Sequence, residues 1–521
     1  MRPIKLIRVA CLLATVVGCS SSNGTPSGSG RGGQAAGSGG QSGGTGGQSA
    51  GTGGAAATGD GAAGQGGGAG TTPPPPLPLP SLVTSAEGAY WKTDGELTEV
   101  TSGDADVTVD DGAVAQRWDG FGGTFSERSA DYLSQLSAGD KEMALQLLFG
   151  PDGLRFNQGR IPIGASDYAI DRYTLDEIPG DTSMSKFSIE RDKEKLIPFI
   201  KAALAVAPGL HLWASPWSPP TWMKSNGAFD GGTMKEDDAT LQAFALYLTK
   251  FVQEYGKQGI PIEVVHPQKE PNLALDFPSC VWTSAAMTKF IGGYLGPTFA
   301  AQKVNAQIFL GSLSQDGGTG RARDIISAVT ADATAMAYVK GFGFEWDGVP
   351  LVNQVKPTNL PIWQDNHNVG NLPWGGSFRR DAAPNDHAYA VTSWGFIREW
   401  IRAGVNAYFT SSMVLDSVGL GIGTTYWPEN ALLVVDASSK TLVVTPAFHL
   451  FRHLSRYVDP GASVIGTTGG DALAFKNPDG TIVAVLYNSG SGGARTTIVS
   501  MAGKRLKFEI PANGWATVTA K

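Results

Sequence analysis

The chain has 521 residues, 41% hydrophobic and 17% charged, a balance that suits a globular protein able to bury a large core. Its formal charge is −7 and its isoelectric point about 5.5, so the basic surplus of a nucleic-acid binder is absent. Of the three cysteines, Cys11 and Cys19 lie in an N-terminal leader; Cys280 alone can form neither an intramolecular disulfide nor a Cys-x-x-Cys metal site, and reads as a packed small hydrophobe.

Residues 1–18 read as a signal peptide. Arg2, Lys5 and Arg8 precede an apolar run, Val9 to Val17, too short to span a bilayer. The run ends Val16-Val17-Gly18-Cys19 before three serines, the pattern of a bacterial lipobox. This predicts a thioether lipid on Cys19 and anchorage at the cell envelope, outer membrane or cell surface. Residues 19–80 then form a tether: Gly, Ser, Ala, Gln and Thr to about Thr72, too polar to repay the entropy of folding, and a stiffer proline-rich spacer from Pro73 to Pro80. No later segment is long and apolar enough to be a transmembrane helix.

Residues 81–115 hold two strand-like segments, Glu96–Val100 and Ala105–Val109, expected to join a C-terminal sheet. From 116 to 458 short apolar runs alternate with helical patterns. The strands are expected near Trp118–Phe125, Leu154–Ile163, Leu210–Ser215, Ile262–Gln268, Gln307–Gly311, Tyr338–Phe344, Pro361–Asp365 and Ala407–Ser411. Helices are expected over Ala130–Phe149, Leu196–Val206, Thr240–Tyr255, Ala285–Phe299 and Ala388–Ala403. Eight strands alternating with helices predict an α/β chain, a (β/α)8 TIM barrel. A doubly wound sheet would favour a phosphate loop after its first strand, and Gly120-Phe-Gly-Gly123 has the wrong spacing for one. Residues 459–521 change character. Runs at Ala472–Phe475, Ile482–Tyr487, Thr496–Val499 and Trp515–Val518, separated by turn residues, predict an antiparallel β-sandwich domain.

Catalytic groups of such barrels sit at the C-terminal ends of the strands. The third strand runs into Trp213-Ala-Ser-Pro-Trp217-Ser-Pro-Pro-Thr-Trp222, which reads as a stiff aromatic wall for sugar C–H faces. The fourth ends His266-Pro-Gln268-Lys269-Glu270-Pro271, with Glu270 placed as a general acid. The seventh ends Trp363-Gln-Asp365-Asn366-His367, where a retaining glycosidase would keep its second carboxylate ~5–5.5 Å from the first. His266, His367 and His387 lack the spacing of metal ligands. His449 and His453, at i and i+4, lack the glutamate of a zinc-protease motif.

These motifs, with Trp118-Asp-Gly-Phe-Gly-Gly-Thr-Phe125, Arg160-Ile-Pro-Ile-Gly164, Asp167-Tyr168 and Pro460-Gly-Ala462, resemble family 30 of the glycoside hydrolases, the glucosylceramidase and β-1,6-glycanase family, over residues 82 to 521. The resemblance implies retaining hydrolysis of a β-linked polysaccharide or glycoconjugate with no metal or organic cofactor. It implies Glu270 as acid/base, Arg160 as the arginine beside the nucleophile, and Trp217 and Trp222 as loop aromatics. Asp167, Gln268, Lys269, Trp346 and His367, near these strand ends, are expected as further substrate contacts.

Three positions depart from the family pattern. Lys269 stands for an asparagine that bonds the sugar 2-hydroxyl, Asn366 for the nucleophilic glutamate, and Ser411 for a tryptophan under the scissile sugar. An amide cannot form a glycosyl ester, so the ordinary mechanism should fail. Three arrangements remain open. Glu345, at the end of the sixth strand, replaces the lost group as a base in an inverting reaction. The barrel holds glycan without cleaving it. Or the register differs by one and Asp365, otherwise expected on the opposite side of its strand from Asn366, faces the site.

Overall fold

The computed structural model describes residues 78–521 apart from 316–318, 368, 374, 424–426 and 491. The expected signal peptide, Cys19 and most of the tether lie outside the described residues. Among the described residues no helix is long and apolar enough to cross a membrane.

Eight parallel strands close into a barrel: β1 (Gly120–Thr124), β2 (Gln158–Ile163), β3 (His211–Pro216), β4 (Val264–Val265), β5 (Gln307–Leu313), β6 (Val339–Glu345), β7 (Ile362–His367) and β8 (Ala407–Ser412). Each lies where a strand is expected, although β4 keeps two paired residues of its apolar run. Alternate side chains point inward. Trp213, Val264, Phe309, Trp363, Ala407 and Phe409 pack together as a plug in the lumen. Opposite faces of the strands join the large core beneath the surrounding helices. Above the plug, Gly311 and Gly343 bring β5 and β6 together: a Cβ on Gly311 would fall 2.7 Å from the Gly343 Cα.

The helices differ from expectation in two places. Ala130–Phe149 is two helices, Glu127–Ser134 and Ala138–Phe149, because Ser137 caps the second by accepting from the Asp140 amide at 3.1 Å. The stretch expected over Ala285–Phe299 contains a π-turn, Ile291–Leu295, between Ser284–Phe290 and Gly296–Ala301. After β8 a three-stranded sheet (Val414–Asp416, Leu433–Asp436, Thr441–Val444), not anticipated from the sequence, turns the intervening loop back over the barrel mouth.

The remaining strands form a ten-stranded sheet. N-terminal segments Thr98–Glu99 and Val107–Arg117 pair into it with Lys504–Ile510, Ser463–Thr468 and Arg495–Met501. A further strand, Ser81–Ala86, lies beside Gly514–Ala520. All pairings are antiparallel except that of Val107–Arg117 with Arg495–Met501. This sheet packs on the barrel through the helix Pro446–Ser455. The His453 ring, buried there, bonds Ser85 and Thr517, both at 2.8 Å.

Candidate active site

The barrel mouth is organised around Lys269. Glu270 has φ +43° and Trp346 φ +53°, left-handed conformations that cost a residue with a side chain ~1–3 kcal/mol and cluster at functional sites. Backbone bonds to both neighbours fix the β4 end: the Lys269 amide donates to the Pro216 carbonyl and the Glu270 amide to that of Ser312, each at 2.8 Å. The Glu270 carboxylate is buried. Its Oε1 accepts from Ser314 Oγ at 3.1 Å, and its Oε2 pairs with the Lys269 ammonium.

Lys269 Nζ also lies 3.6 Å from Oε2 of Glu345, at the end of β6. Burial works against this ammonium, yet Glu270 and Glu345 outweigh it and raise the lysine pKa above its ordinary value. Glu345 is fully buried, which pushes its carboxyl up to about 8, with Lys269 opposing the shift and Glu270 adding to it. One nitrogen bridges the two carboxylates, where an inverting pair would keep room for a water. The lysine, not a free path for water, occupies the space between them.

Asn366 stands beside this pair, its Nδ2 donating to Glu345 Oε2 at 2.8 Å. The sequence predicted Asp365 on the far side of β7. It points instead into the lumen, 3.2 Å from His266 Nδ1 and fully buried. The ladder is irregular here: Phe344 pairs with Gln364, but the next residue, Glu345, pairs with Asn366. Alternation from Trp363, which lies in the lumen, already turns Asp365 inward, and the bulge brings the next residue, Asn366, to the mouth as well. His266 lies flat on Trp213, centroids 4.3 Å apart. Burial lowers the His266 pKa, against the pull of Asp365.

Arg160, on β2, is fully buried. Nε and Nη2 donate to Ser215 Oγ at 3.1 and 2.9 Å, and the guanidinium lies 4.3 Å from the centroid of Trp217. Trp217 is therefore a buried platform for Arg160 and not part of an exposed wall; the cation–π contact explains its inward turn. Trp222 is half-buried, and its Nε1 bonds the Asp176 carbonyl at 3.1 Å. Gln268 is buried too, donating to the carbonyls of Trp217 and Lys269 at 2.7 and 2.9 Å. It braces the loop instead of reaching the cleft. His367 is buried against Phe396 and Trp346, at 4.3 and 5.6 Å between centroids.

The cleft above has a volume of about 530 Å³, and its lining includes Asp167, Lys269, Glu270, Phe277, Ser314, Trp346, Trp427 and Glu429. Trp346 and Trp427, 5.2 Å between centroids, form its aromatic side. Trp427 and Glu429 were not anticipated from the sequence. Both lie in the loop after Val414–Asp416, held by the Glu429 amide on the Gly419 carbonyl at 2.7 Å and by Asn371 Nδ2 on the Pro428 carbonyl at 2.6 Å. The small side chain of Ser411 meets Glu429: Ser411 Oγ donates to Glu429 Oε2 at 3.1 Å. Burial pushes the Glu429 carboxyl up to about 8, and Asp167 adds to the shift. Burial likewise raises Asp167, with Lys269 and Arg160 opposing.

The model described as the glycosyl hydrolase family 30 TIM-barrel domain matches residues 118–353, and that of the family 30 beta sandwich domain residues 461–518. The chain is 26% identical over 409 residues to the lysosomal acid glucosylceramidase of Mus musculus, covering 74% of this chain and 77% of that one. It is 25% identical over 447 residues to endo-1,6-beta-D-glucanase neg1 of Aspergillus fumigatus, covering 79% and 87%. Among solved structures, the endo-beta1,6-glucanase BT3312 superposes with a TM-score of 0.75 at 21% identity, covering 85% of this chain and 99% of that one. SrfJ from Salmonella typhimurium does so with the same score and coverage at 23% identity.

Proposed function

Because the chain belongs to glycoside hydrolase family 30 in both its barrel and its β-sandwich, we propose that it recognises a β-linked glycan in the cleft at the barrel mouth and holds it without hydrolysing it. One observation carries this reading. The Lys269 ammonium lies between the Glu270 and Glu345 carboxylates, the space where the sugar's anomeric centre and its developing positive charge belong in a retaining hydrolase. A fixed cation there repels an oxocarbenium-like transition state, and Asn366 supplies no anion to face it. The aromatic pair Trp346–Trp427 and the polar cleft above remain, so the groups that grip sugar persist where the groups that cut it do not.

A second reading rests on Glu345. A buried carboxyl raised to about 8 beside a carboxylate paired with an ammonium is the division of roles that acid–base chemistry needs. Were Lys269 to swing away, Glu345 would serve as the acid and Glu270 as the nucleophile. Relatives named as glucosylceramidase and endo-1,6-beta-D-glucanase make β-glucosides and β-1,6-glucan the first ligands to try. Binding measured by calorimetry, with reducing-sugar release measured on the same samples, separates the readings. Saturable binding without release supports the first. Release that disappears in both Glu270→Gln and Glu345→Gln supports the second.

The leader adds a location to this proposal: lipidation of Cys19 would hold the barrel at the cell envelope on a tether of about sixty residues, long enough to sample the nearby surface. Labelling with a radioactive fatty acid, lost in Cys19→Ser, tests it.

A further inference from the structure

We propose that a groove beside the junction of barrel and β-sandwich takes residues 73–77 of the same chain, the four prolines and the leucine that precede the first described residue, so that the tether is strapped to the fold before it leaves. The proposal holds whether the cleft binds glycan or cleaves it.

The groove has a volume of about 1090 Å³. Buried Phe149, Phe156 and Tyr457 line it, and so do the small apolar residues Ala205, Val206 and Ala207 where the helix Leu196–Val206 ends. The charged residues along it already have partners. Arg155 lies 3.1 Å from Asp459, Arg456 2.8 Å from Asp152 and Asp479 3.7 Å from Lys521, while Glu142 accepts from Gln146 at 2.9 Å. An uncharged apolar segment therefore suits this surface better than a charged one.

The place where the described chain begins supplies the occupant. Ser81 opens the first strand of the sandwich and pairs with Thr519, their hydroxyls 2.6 Å apart. Thr519 lines the groove, and Leu79, two residues before Ser81, lies exposed at it. The strand pairing thus delivers the upstream chain to this surface. Five residues in polyproline geometry span ~15 Å at ~3.1 Å each. That is close to the ~18 Å of the helix Ala138–Phe149, whose Leu145 and Phe149 line the groove.

The chemistry of the segment fits. Pro73-Pro-Pro-Pro-Leu77 carries no charge, and only Leu77 brings an N–H that docking could strand away from water. Proline's fixed φ leaves less conformational freedom to lose on docking than the glycine-rich chain before it would lose. The strap has a consequence for the anchor. Asn157 and Leu210, which immediately precede β2 and β3, also line the groove, so it lies at the end of the barrel opposite the mouth. If Cys19 carries the lipid, the tether leaves from that end and turns the cleft away from the envelope.

The test is thiol protection in the full chain carrying Cys11→Ser and Cys19→Ser. The remaining native thiol, Cys280, is fully buried and pushed up to about 12 by that burial, so it reports only unfolding. Ala205→Cys puts a thiol at an exposed position of the groove, and Ala331→Cys puts a control thiol at an exposed position on a helix after β5. Replacing residues 73–77 by alternating glycine and serine should speed maleimide modification at position 205 about tenfold, the factor for a groove filled in about nine molecules of ten. Leu77→Ser alone should raise the rate in the same direction. The rate at position 331 should not change, and Cys280 should stay unreactive in every chain. Equal rates at position 205 with and without the prolines overturn the inference. Protection that fades on dilution also overturns it, because the segment of a second copy would then be the occupant.

Discussion

Asn366 Nδ2 donates to Glu345 Oε2 at 2.8 Å, so the amide at the nucleophile position faces a carboxylate supplied by the neighbouring strand. A carboxyl is still present at the barrel mouth although strand seven carries an amide. It is that of Glu345 on β6, 3.6 Å from Lys269. Substitutions at 269 and 366 that would each be ruinous alone are coupled through Glu345, and the behaviour of the site follows from that triad.

Stability should fall as the pH rises from about 5 to about 8. Glu429 and Glu345 each titrate near 8 in the fold against ~4.3 for an unfolded glutamate. Between those values the native state binds more protons than the unfolded chain, so each carboxyl's contribution is complete below the lower value and lost as pH passes the upper one. Asp192, raised by burial to about 6 despite donors from Tyr173 and Tyr255 at 2.7 and 2.8 Å, acts with the same sign at lower pH. Scanning calorimetry should show the melting temperature declining across the window, with a shallower decline in Glu429→Gln. A variant with the wild-type slope would remove Glu429 from the explanation.

Trp427→Ala should weaken glycan binding about tenfold or more and leave the melting temperature nearly unchanged. The ring is half-buried and lies on the cleft side, 5.2 Å from Trp346, and truncated aromatic anchors commonly cost ~2 kcal/mol or more. Trp217→Ala should do the reverse, because that ring is buried under Arg160 and its loss opens a cavity worth ~3–5 kcal/mol. Calorimetric affinity and melting temperature, measured on both variants, should therefore separate in opposite directions. Equal effects would contradict the assignment of one ring to the cleft and the other to the core.

The contrast between these tryptophans shows what the sequence could and could not disclose. All eight barrel strands are legible, since alternation and turn residues are local signals, and so are Glu270 and Asn366, which lie at strand ends. Trp217 is misread because prolines make its loop look stiff and exposed. Its inward turn depends on Arg160, 57 positions away in the chain. Asp365 is misread because Asn366 reaches the mouth only through a bulge after Gln364, which alternation along one strand cannot register; from Trp363, in the lumen, alternation points Asp365 inward. Glu429 and Trp427 carry no periodic signal at all. Their place is set by Gly419 and Asn371 and by the small side chain at 411.

Gly343→Ala should destabilise the barrel by about 1–3 kcal/mol or more. A Cβ at that position would run into the Asp365 carboxylate and the His266 ring, neither of which can retreat: Asp365 is held by the bulge and His266 lies on Trp213. Chemical denaturation should show a lower midpoint with an unchanged slope, the mark of lost stability. Gly293→Ala, where a Cβ meets nothing within 4 Å, is the control that should hold or gain stability. If the two variants behaved alike, the tight layer above the lumen plug would not exist as described.

Hydrolysis should appear only when all three members of the triad are changed. Asn366→Glu alone sets a second carboxylate 2.8 Å from one already buried. Two such groups share a proton instead of presenting a nucleophile, and Lys269 still fills the gap to Glu270. Lys269→Asn alone frees that gap but leaves an amide facing the sugar. Combining Lys269→Asn, Asn366→Glu and Glu345→Gln turns the observed bond around. The new amide on β6 can donate to a carboxylate on β7, and the space beside Glu270 opens to the ~5–5.5 Å separation of a retaining pair. Reducing-sugar assays on β-1,6-glucan, with an aryl β-glucoside as a second substrate, should then rise at least about a hundredfold above wild type. The single variants should stay at the wild-type level. Activity in wild type equal to that of the triple variant would show that Lys269 does not block the centre. A triple variant that binds glycan and still releases nothing would show that the loss of chemistry lies outside these three residues, with Ser411 and Glu429 the next pair to exchange.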